Sequence, residues 1–377
     1  MGRIESAFDP VIGRRVAVKT LRDEYSDDEL ALQQFIEEAR VTGQLEHPNV
    51  VPIYDLGQDP ESPFIAMRLV EGQSLAQLIE RCPRPTTPSE AADLLQRLLE
   101  VVLCLCDALS FAHGRGVIHC DVKPDNVMVG EHGQVYLMDW GVALTDRGRS
   151  GFGGTAAYMA PEQLLGNTEQ IDARTDVYGL GGVLYEILTG KPPNDAAALL
   201  ATVRRDGPPP FAPGALWTQL PPELCRIAGK ALSPARDDRY ASPAELRAEL
   251  QQFLKGGGWF ETLHVKAGEL IVEEGEPGNV AYVIQSGNCE VWKAIQGQRQ
   301  LIRRLGPGDV FGEAAVFAAG PRTASIVAID DVTLKLVTGD SLNRELDRNP
   351  MLAAFVRSLA NLFRETDAAL SVRPPPR

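Results

Sequence analysis

No stretch of this 377-residue sequence is apolar for long enough to cross a bilayer. The most apolar window, Leu94 to Ala112, is broken by Arg97, Glu100 and Asp107, whereas a spanning helix needs about 20 nearly uncharged residues. The N-terminus, Met1 to Ser6, has no apolar core to serve as a secretion signal. Cysteine is sparse and poorly spaced for its structural uses. Cys82, Cys104, Cys106, Cys120, Cys225 and Cys289 are scattered, and Cys104 and Cys106 share one intervening residue inside an apolar, helix-like run. That spacing suits neither a metal site nor a secreted disulfide framework. A basic excess is also missing: the formal net charge is −14. Nucleic acid and anionic membranes both demand a cationic face, so neither is expected as a main partner. The compartment these absences point to is the cytosol.

What is present is an ordinary globular composition, 44% hydrophobic and 23% charged, with enough length for at least two domains. The texture changes once. Up to about Leu254, strand-like and helix-like patterns mix; Gly256-Gly257-Gly258 then reads as a hinge. From Trp259, glycines recur at 268, 275, 278, 287, 297, 306, 308 and 312 with short β-branched runs between them. Evenly spaced short strands with turn residues predict a small β barrel or jelly roll.

The most informative stretch is His119-Cys120-Asp121-Val122-Lys123-Pro124-Asp125-Asn126. It lies between two apolar runs and so forms a short rigid loop. Thirteen residues after Asn126 comes Asp139, in Met138-Asp139-Trp140-Gly141, closing a strand pattern from Gln134 to Met138. Phosphoryl transfer needs a carboxylate to orient the acceptor hydroxyl, a cation on the moving phosphate and two oxygen ligands for magnesium. Asp121, Lys123, and the pair Asn126 and Asp139 supply them.

These motifs resemble the bacterial, eukaryotic-type Ser/Thr protein kinases, and Lys123-Pro124 is similar to the Ser/Thr version. The resemblance implies ATP and Mg2+ as cofactors and a protein Ser or Thr as acceptor. Lys19, ending the strand-like Val16-Ala17-Val18-Lys19, would hold the ATP phosphates and pair with Glu38 on the next helix, Leu30 to Leu45, leaving Glu37 toward solvent. That strand would be the third of the small lobe. Phe64 to Leu69 would be a strand running into the hinge near 67–72, with Met67 as gatekeeper and Ala17 and Met128 lining the adenine pocket. Thr87 to Glu90 would cap a long helix. Thr155, in the segment closing with Ala160-Pro161-Glu162, would contact Asp121 and Lys123 through its hydroxyl. Glu162 would pair with Arg239, and Asp176 would hold the catalytic-loop backbone.

Three departures from the family stand out. No Gly-rich phosphate loop precedes the Lys19 strand; Met1-Gly2 stands where its last glycine would be, so the small lobe is expected to be incomplete and the true start upstream. Cys120 replaces the Arg that receives an activation-segment phosphate, so phosphates at Thr145 or Ser150 are not expected to exert control. Trp140 replaces the usual Phe. The missing loop leaves an alternative open, a pseudokinase acting as a ligand-responsive scaffold.

In the C-terminal part, Phe311-Gly312-Glu313-Ala314-Ala315 and Gly320-Pro321-Arg322-Thr323 combine a tight turn with bare amides, one carboxylate and one Arg, which suits a cyclic phosphate on a ribose. The match resembles cyclic-nucleotide-binding domains. It implies Gly312, Glu313, Ala315, Arg322 and Thr323 as the binding set, with Arg322 on the phosphate and Glu313 on the ribose. A hydroxyl at Thr323 resembles members that accept cyclic GMP; those strict for cyclic AMP usually have Ala. Only 27 residues follow Pro350, too few for a lid helix plus a DNA-binding helical pair. The expected organisation is a two-lobed α+β kinase domain over 1–254, a glycine linker over 255–258, a β jelly roll with lid helix over 259–370, and a tail over 371–377.

Overall fold

The computed structural model describes the chain except residues 1, 26–27, 58–62, 146–147, 150–153, 195–205, 215, 218–219, 256–260, 296–297, 314–319, 340–341, 343–345, 347–350, 352–353, 355, 357 and 359–377. Residues 256–258 of the expected linker, Ser150, Ala315, most of the expected lid helix and the tail therefore lie outside the described residues, whereas Lys255 ends a helix. The chain divides into two compact units, Met1–Gly256 and Gly257–Arg377.

The first unit opens with an antiparallel sheet of order β1-β2-β4-β3, made of β1 (Gly2–Asp9), β2 (Arg14–Leu21), β3 (Ile53–Gly57) and β4 (Phe64–Arg68). The Lys19 strand is thus second in chain order. No expectation covered β1, whose residues do not alternate cleanly between apolar and polar. Its hairpin is set by Asp9, whose Oδ1 accepts from the amides of Val11 and Ile12 at 3.0 and 3.2 Å. Helix α1 (Glu29–Gln44) is capped by Asp28, which accepts from Leu30 and Ala31. It packs Phe35 and Ala39 against Ile65 of β4 and stops before Pro48, where a ring could not continue the helical bonds.

Below come a small sheet, β5 (Gly72–Ser74), β6 (Val127–Gly130) and β7 (Val135–Leu137), and the helices α2 (Leu75–Arg81), α3 (Pro88–His113), α4 (Pro161–Leu164), α5 (Ala173–Thr189), α6 (Pro222–Ala231) and α7 (Pro243–Lys255). A short ribbon pairs β8 (Leu144–Thr145) with β9 (Gly148–Arg149). Thr87 and Glu90 form a reciprocal capping box at the start of α3. α3 packs on α5 and α7, and burial of α5 on almost every side makes it the central helix of this unit.

Across the base of this helical part Arg239 makes a two-pronged pair with Glu162, at 2.8 and 2.9 Å, and both side chains are buried. Thr175 Oγ1 donates to the same carboxylate. Arg239 donates further to the carbonyls of Ser233, Pro234 and Arg174, so the buried charges are satisfied on all sides.

The second unit is a jelly roll. One sheet runs β10 (Glu261–Val265), β19 (Val332–Thr338), β13 (Val280–Ser286), β16 (Val310–Phe311); the other runs β11 (Leu270–Val272), β18 (Ser325–Ala328), β14 (Cys289–Ile295), β15 (Gln298–Leu305). The small ribbon β12 (Pro277–Gly278) with β17 (Gly320–Pro321) completes it. Its own core, including Ile284, Cys289, Phe311, Ile326 and Leu334, lies between the sheets.

The Glu162 pair carries a pH signature. Burial pushes the carboxyl up, but the hydrogen bonds and charge of Arg239 outweigh it and hold it below its ordinary value of 4.5. A depressed folded value means stabilisation that is complete above that range and lost as pH falls through the folded value. Glu162→Gln is expected to cost about 3–5 kcal/mol at neutral pH by leaving Arg239 buried and unpaired. In urea unfolding, the gap to the unaltered protein should hold constant from neutrality to mildly acidic pH and narrow only below that ordinary value.

Candidate active site and ligand cradle

The loop after α3 turns through an unfavourable backbone. Cys120 and Asp139 are non-glycine residues at φ 67° and 59°, conformations costing roughly 1–2 kcal/mol each. The first is held by Asp176, buried in α5, whose carboxylate accepts from the amides of His119 at 2.9 Å and Cys120 at 2.8 Å. His113, at the end of α3, adds a third contact at 2.7 Å. Burial pushes this carboxyl up, but the bond and charge from His113 and the contacts at His119 outweigh it and hold it below the ordinary range. Gln163 grips the same turn from the other side, donating to the Cys120 carbonyl at 2.7 Å.

The pinned turn presents Asp121, whose carboxylate is bound on both oxygens. Lys123 Nζ lies 2.8 Å from Oδ2 and Asn126 Nδ2 3.0 Å from it; the Thr155 amide donates to Oδ1 at 2.8 Å. Lys123 also bonds the Thr155 hydroxyl. The structure therefore gathers Asp121, Lys123, Asn126 and Thr155 in one cluster. Met138 N donates to Asn126 O at 2.8 Å, which ties the Asp139 strand to the loop.

In the small lobe Lys19 pairs with Glu38 at 2.5 Å and lies 3.7 Å from Asp139. Burial disfavours the Lys19 charge, but Glu38 and Asp139 outweigh it, and the amine is held above its ordinary value. Glu37 is only half-buried and pairs with Arg40. Gly141 allows the close approach here: a Cβ on it would stand 3.0 Å from Glu38 Oε2 and 3.3 Å from Asp139 Oδ1. Ala17 and Met67 are buried together with Val51, against Ile53, Leu69 and Met138. Met128, half-buried on β6 opposite Ser74 and Tyr136, is not part of that cluster.

Two residues on this face escaped sequence reasoning. Ile4 stands opposite Lys19 and Ser6 opposite Ala17 in the β1–β2 register, and directly opposed residues share a face. Ile4 is 57% exposed, an open apolar side chain on the same face as Lys19. Only strand pairing reveals it. Trp140 occupies its place with complete burial, edge-on to His119 at 4.6 Å. Its indole N–H has no acceptor among the described residues, a cost of about 1–3 kcal/mol.

The donor set fits a nucleotide with a divalent cation. Asp139 is half-exposed, at 50%, and the Asn126 amide nitrogen is committed to Asp121, leaving its oxygen as the remaining acceptor. Carboxylate and amide oxygens are the hard ligands that magnesium prefers.

In the second unit Arg322 lies between two glycines. A Cβ at Gly278 would collide with its guanidinium, and so would one at Gly312; Gly312 also has φ 75°, a backbone that glycine alone adopts freely. Arg322 Nη1 reaches Gly312 O at 3.4 Å and its head sits 5.7 Å from the Tyr282 ring, which stacks on Phe311. A guanidinium beside bare backbone fits an anionic phosphate. Thr323 is exposed. Glu313 is exposed too, and no ion pair joins it to Arg322 among the described residues. Residue 315 lies outside them.

Fold and site together define a phosphotransferase-type domain joined to a small-ligand β domain, and the comparisons agree. Residues 1–240 match the protein kinase domain and residues 262–349 the cyclic nucleotide-binding domain. The chain belongs to the protein kinase family and carries a C-terminal cyclic nucleotide-binding domain. It is 38% identical over 271 residues to the serine/threonine-protein kinase PknB of Mycolicibacterium smegmatis, covering 68% of this chain and 41% of that protein. The figures for PknB of Mycobacterium tuberculosis are 37%, 68% and 41%, and for PknD of Protochlamydia amoebophila 32%, 69% and 29%. The chain thus spans about two-fifths or less of the length of these curated relatives. Among the described residues no helix is long and apolar enough to cross a membrane.

Asp176 and its neighbour on the same helix separate a pinning role from simple capping. Asp172 caps α5 through the Arg174 amide at 2.8 Å, so Asp172→Ala should cost about 1 kcal/mol. Asp176→Asn removes a buried anionic acceptor shared by three donors and should cost about 1.5–3 kcal/mol or more. Urea unfolding of the two variants, side by side, measures the difference.

Proposed function

We propose that residues 1–254, within the first unit, form an active Ser/Thr protein kinase transferring the ATP γ-phosphoryl group to protein hydroxyls in the cytoplasm. We propose further that residues 259–370, within the second unit, bind a cyclic nucleotide that regulates the kinase. The observation that carries the first reading is the fixation of Asp121 by Lys123, Asn126 and the Thr155 amide. A carboxylate so held can orient an acceptor hydroxyl and take its proton without reorganising. Lys123, bridging Asp121 and Thr155, is placed to offset charge on the moving group. Lys19, kept charged by Glu38 and Asp139, would hold the phosphates, with Ala17 and Met67 beneath the adenine and Met128 and Ile4 as further walls. Asn126 and Asp139 would hold a magnesium ion, which supplies charge neutralisation at the phosphates. Because the catalytic cluster is internally satisfied, transfer is favoured over the scaffold reading.

In this reading Thr155 acts by its own hydroxyl and amide rather than as a phosphate carrier, since Cys120 offers no cation. Thr155→Ala therefore impairs transfer whereas Thr145→Ala does not. Asp121→Asn and Lys19→Met should each lower transfer from Mg-ATP to a Ser/Thr protein by orders of magnitude, roughly the effect of losing positioning and charge together. Their unfolding midpoints should stay close to that of the parent. Unchanged transfer in Asp121→Asn overturns the mechanism.

In the second unit Arg322, with the Gly312 turn and residue 315, would take the cyclic phosphate and Glu313 the ribose. Thr323, exposed beside Arg322, favours cyclic GMP over cyclic AMP through the guanine amine. Titration calorimetry on the full chain tests both assignments. Arg322→Ala should weaken binding by about 1.5–3 kcal/mol or more, as expected for a charge-assisted contact. Thr323→Ala should lower the cyclic GMP to cyclic AMP affinity ratio; an unchanged ratio removes the base assignment.

A further inference from the structure

Among the described residues, strand β15 is the last strand of its sheet and pairs only with β14. All of its residues but Leu305 are exposed, so one row of its backbone N–H and C=O groups faces outward with no strand partner among the described residues. Bare edges of this kind pair readily with further strands. The same hairpin concentrates positive charge in a chain of net charge −14: residues 289–305 hold Lys293, Arg299, Arg303 and Arg304 against the single carboxylate of Glu290. Arg304 leans on Glu290 at 3.0 Å and Arg299 lies over the Trp292 ring at 5.1 Å. Arg303 and Lys293 have no ion pair among the described residues.

We propose that the outer edge of β15 docks an acidic, extended peptide, which adds to the sheet as a new outer strand. The cations select the occupant. Two copies of this edge repel each other, so the charges that prevent self-pairing leave the edge open to a strand of opposite sign. A polyanionic surface is disfavoured, because only Arg299 and Arg304 share the outer face of this edge, on an otherwise acidic molecule, rather than a broad cationic face. The register also gives a side-chain pattern. Ile302 is the extra residue of a bulge between Leu301 and Arg303, so Arg299, Leu301 and Arg304, opposite Ala294, Trp292 and Glu290, share the outer face. Leu301 is 39% exposed between two guanidinium groups. The complementary strand carries acid, apolar and acid residues at successive outward positions. Main-chain bonds supply affinity and this alternation supplies selectivity.

Fluorescence anisotropy of the full chain with a labelled synthetic peptide of core Glu-Thr-Val-Thr-Glu tests the proposal. Binding is expected, weakening severalfold as salt rises from about 0.05 to about 0.5 M. N-methylation of the peptide amides that face β15 should weaken it about tenfold or more, because it blocks strand addition and leaves the charges intact. Replacing Glu by Lys in the peptide should abolish binding, and joint Arg299→Glu and Arg304→Glu substitution, on the outer face, should cost about tenfold or more. Retention of full affinity by the N-methylated peptide overturns strand addition without recourse to any variant. Equal binding of the Lys peptide overturns the charge selection. Capture of the chain by phosphatidylserine vesicles, lost in the double variant while the peptide shows no binding, assigns the edge to a membrane and overturns the peptide reading.

Discussion

A single buried carboxylate sets the geometry on which transfer would depend. Asp176 sits on α5, the most enclosed helix of the first unit, and its two oxygens receive the amides of His119 and Cys120. Those bonds stabilise a left-handed turn at Cys120 that a non-glycine residue resists. Once the turn is held, Asp121 projects where Lys123, Asn126 and Thr155 converge on it. Strain at the reactive loop is thus offset by bonds to the core, and loss of the core acceptor would release both together.

The small lobe solves a different problem. Lys19 must stay charged although it is mostly buried, and a lone ammonium there would lose its proton. Glu38 supplies the counter-charge from α1, whose position follows from Phe35 and Ala39 packing on Ile65. Asp139 approaches from the large lobe at 3.7 Å. The same amine therefore reports on the placement of α1 and of the Asp139 turn, which joins sheet packing to electrostatics in one contact.

How much of this was legible in the sequence depends on distance along the chain. Asp121, Lys123 and Asn126 lie within six consecutive residues, so their spacing alone shows a rigid polar loop, and Asp139 follows one strand later. The Glu162–Arg239 and Asp176 contacts span 77 and 57 residues; family resemblance pointed to them, but no local pattern does. Ile4 was invisible because its placement beside Lys19 comes from strand register, and β1 lacks the alternation that would mark it. His113 and Gln163 likewise gain their roles only where the chain folds back on Cys120. In the jelly roll, recurrent glycine forecast the turns, whereas the crowding of Gly278 and Gly312 against Arg322 is a property of the closed fold. Glu313, which the resemblance assigns to the ribose, stands exposed, and exposure alone does not test that role.

Two units with separate cores also constrain how regulation can operate. The jelly roll buries its own apolar residues between its own sheets, so a ligand at the proposed Arg322 site would not need to order the kinase unit in order to bind. Control of transfer then requires that the ligand bind one state of the whole chain more tightly than another, since a ligand of equal affinity for both shifts nothing. Any such coupling would be reciprocal for binding: whatever factor a cyclic nucleotide at Arg322 applied to nucleotide affinity at Lys19, nucleotide at Lys19 would apply to affinity at Arg322. On the proposed reading each site would report on the other, and the size of that shared factor, rather than the affinity of either ligand alone, would set the limit of regulation.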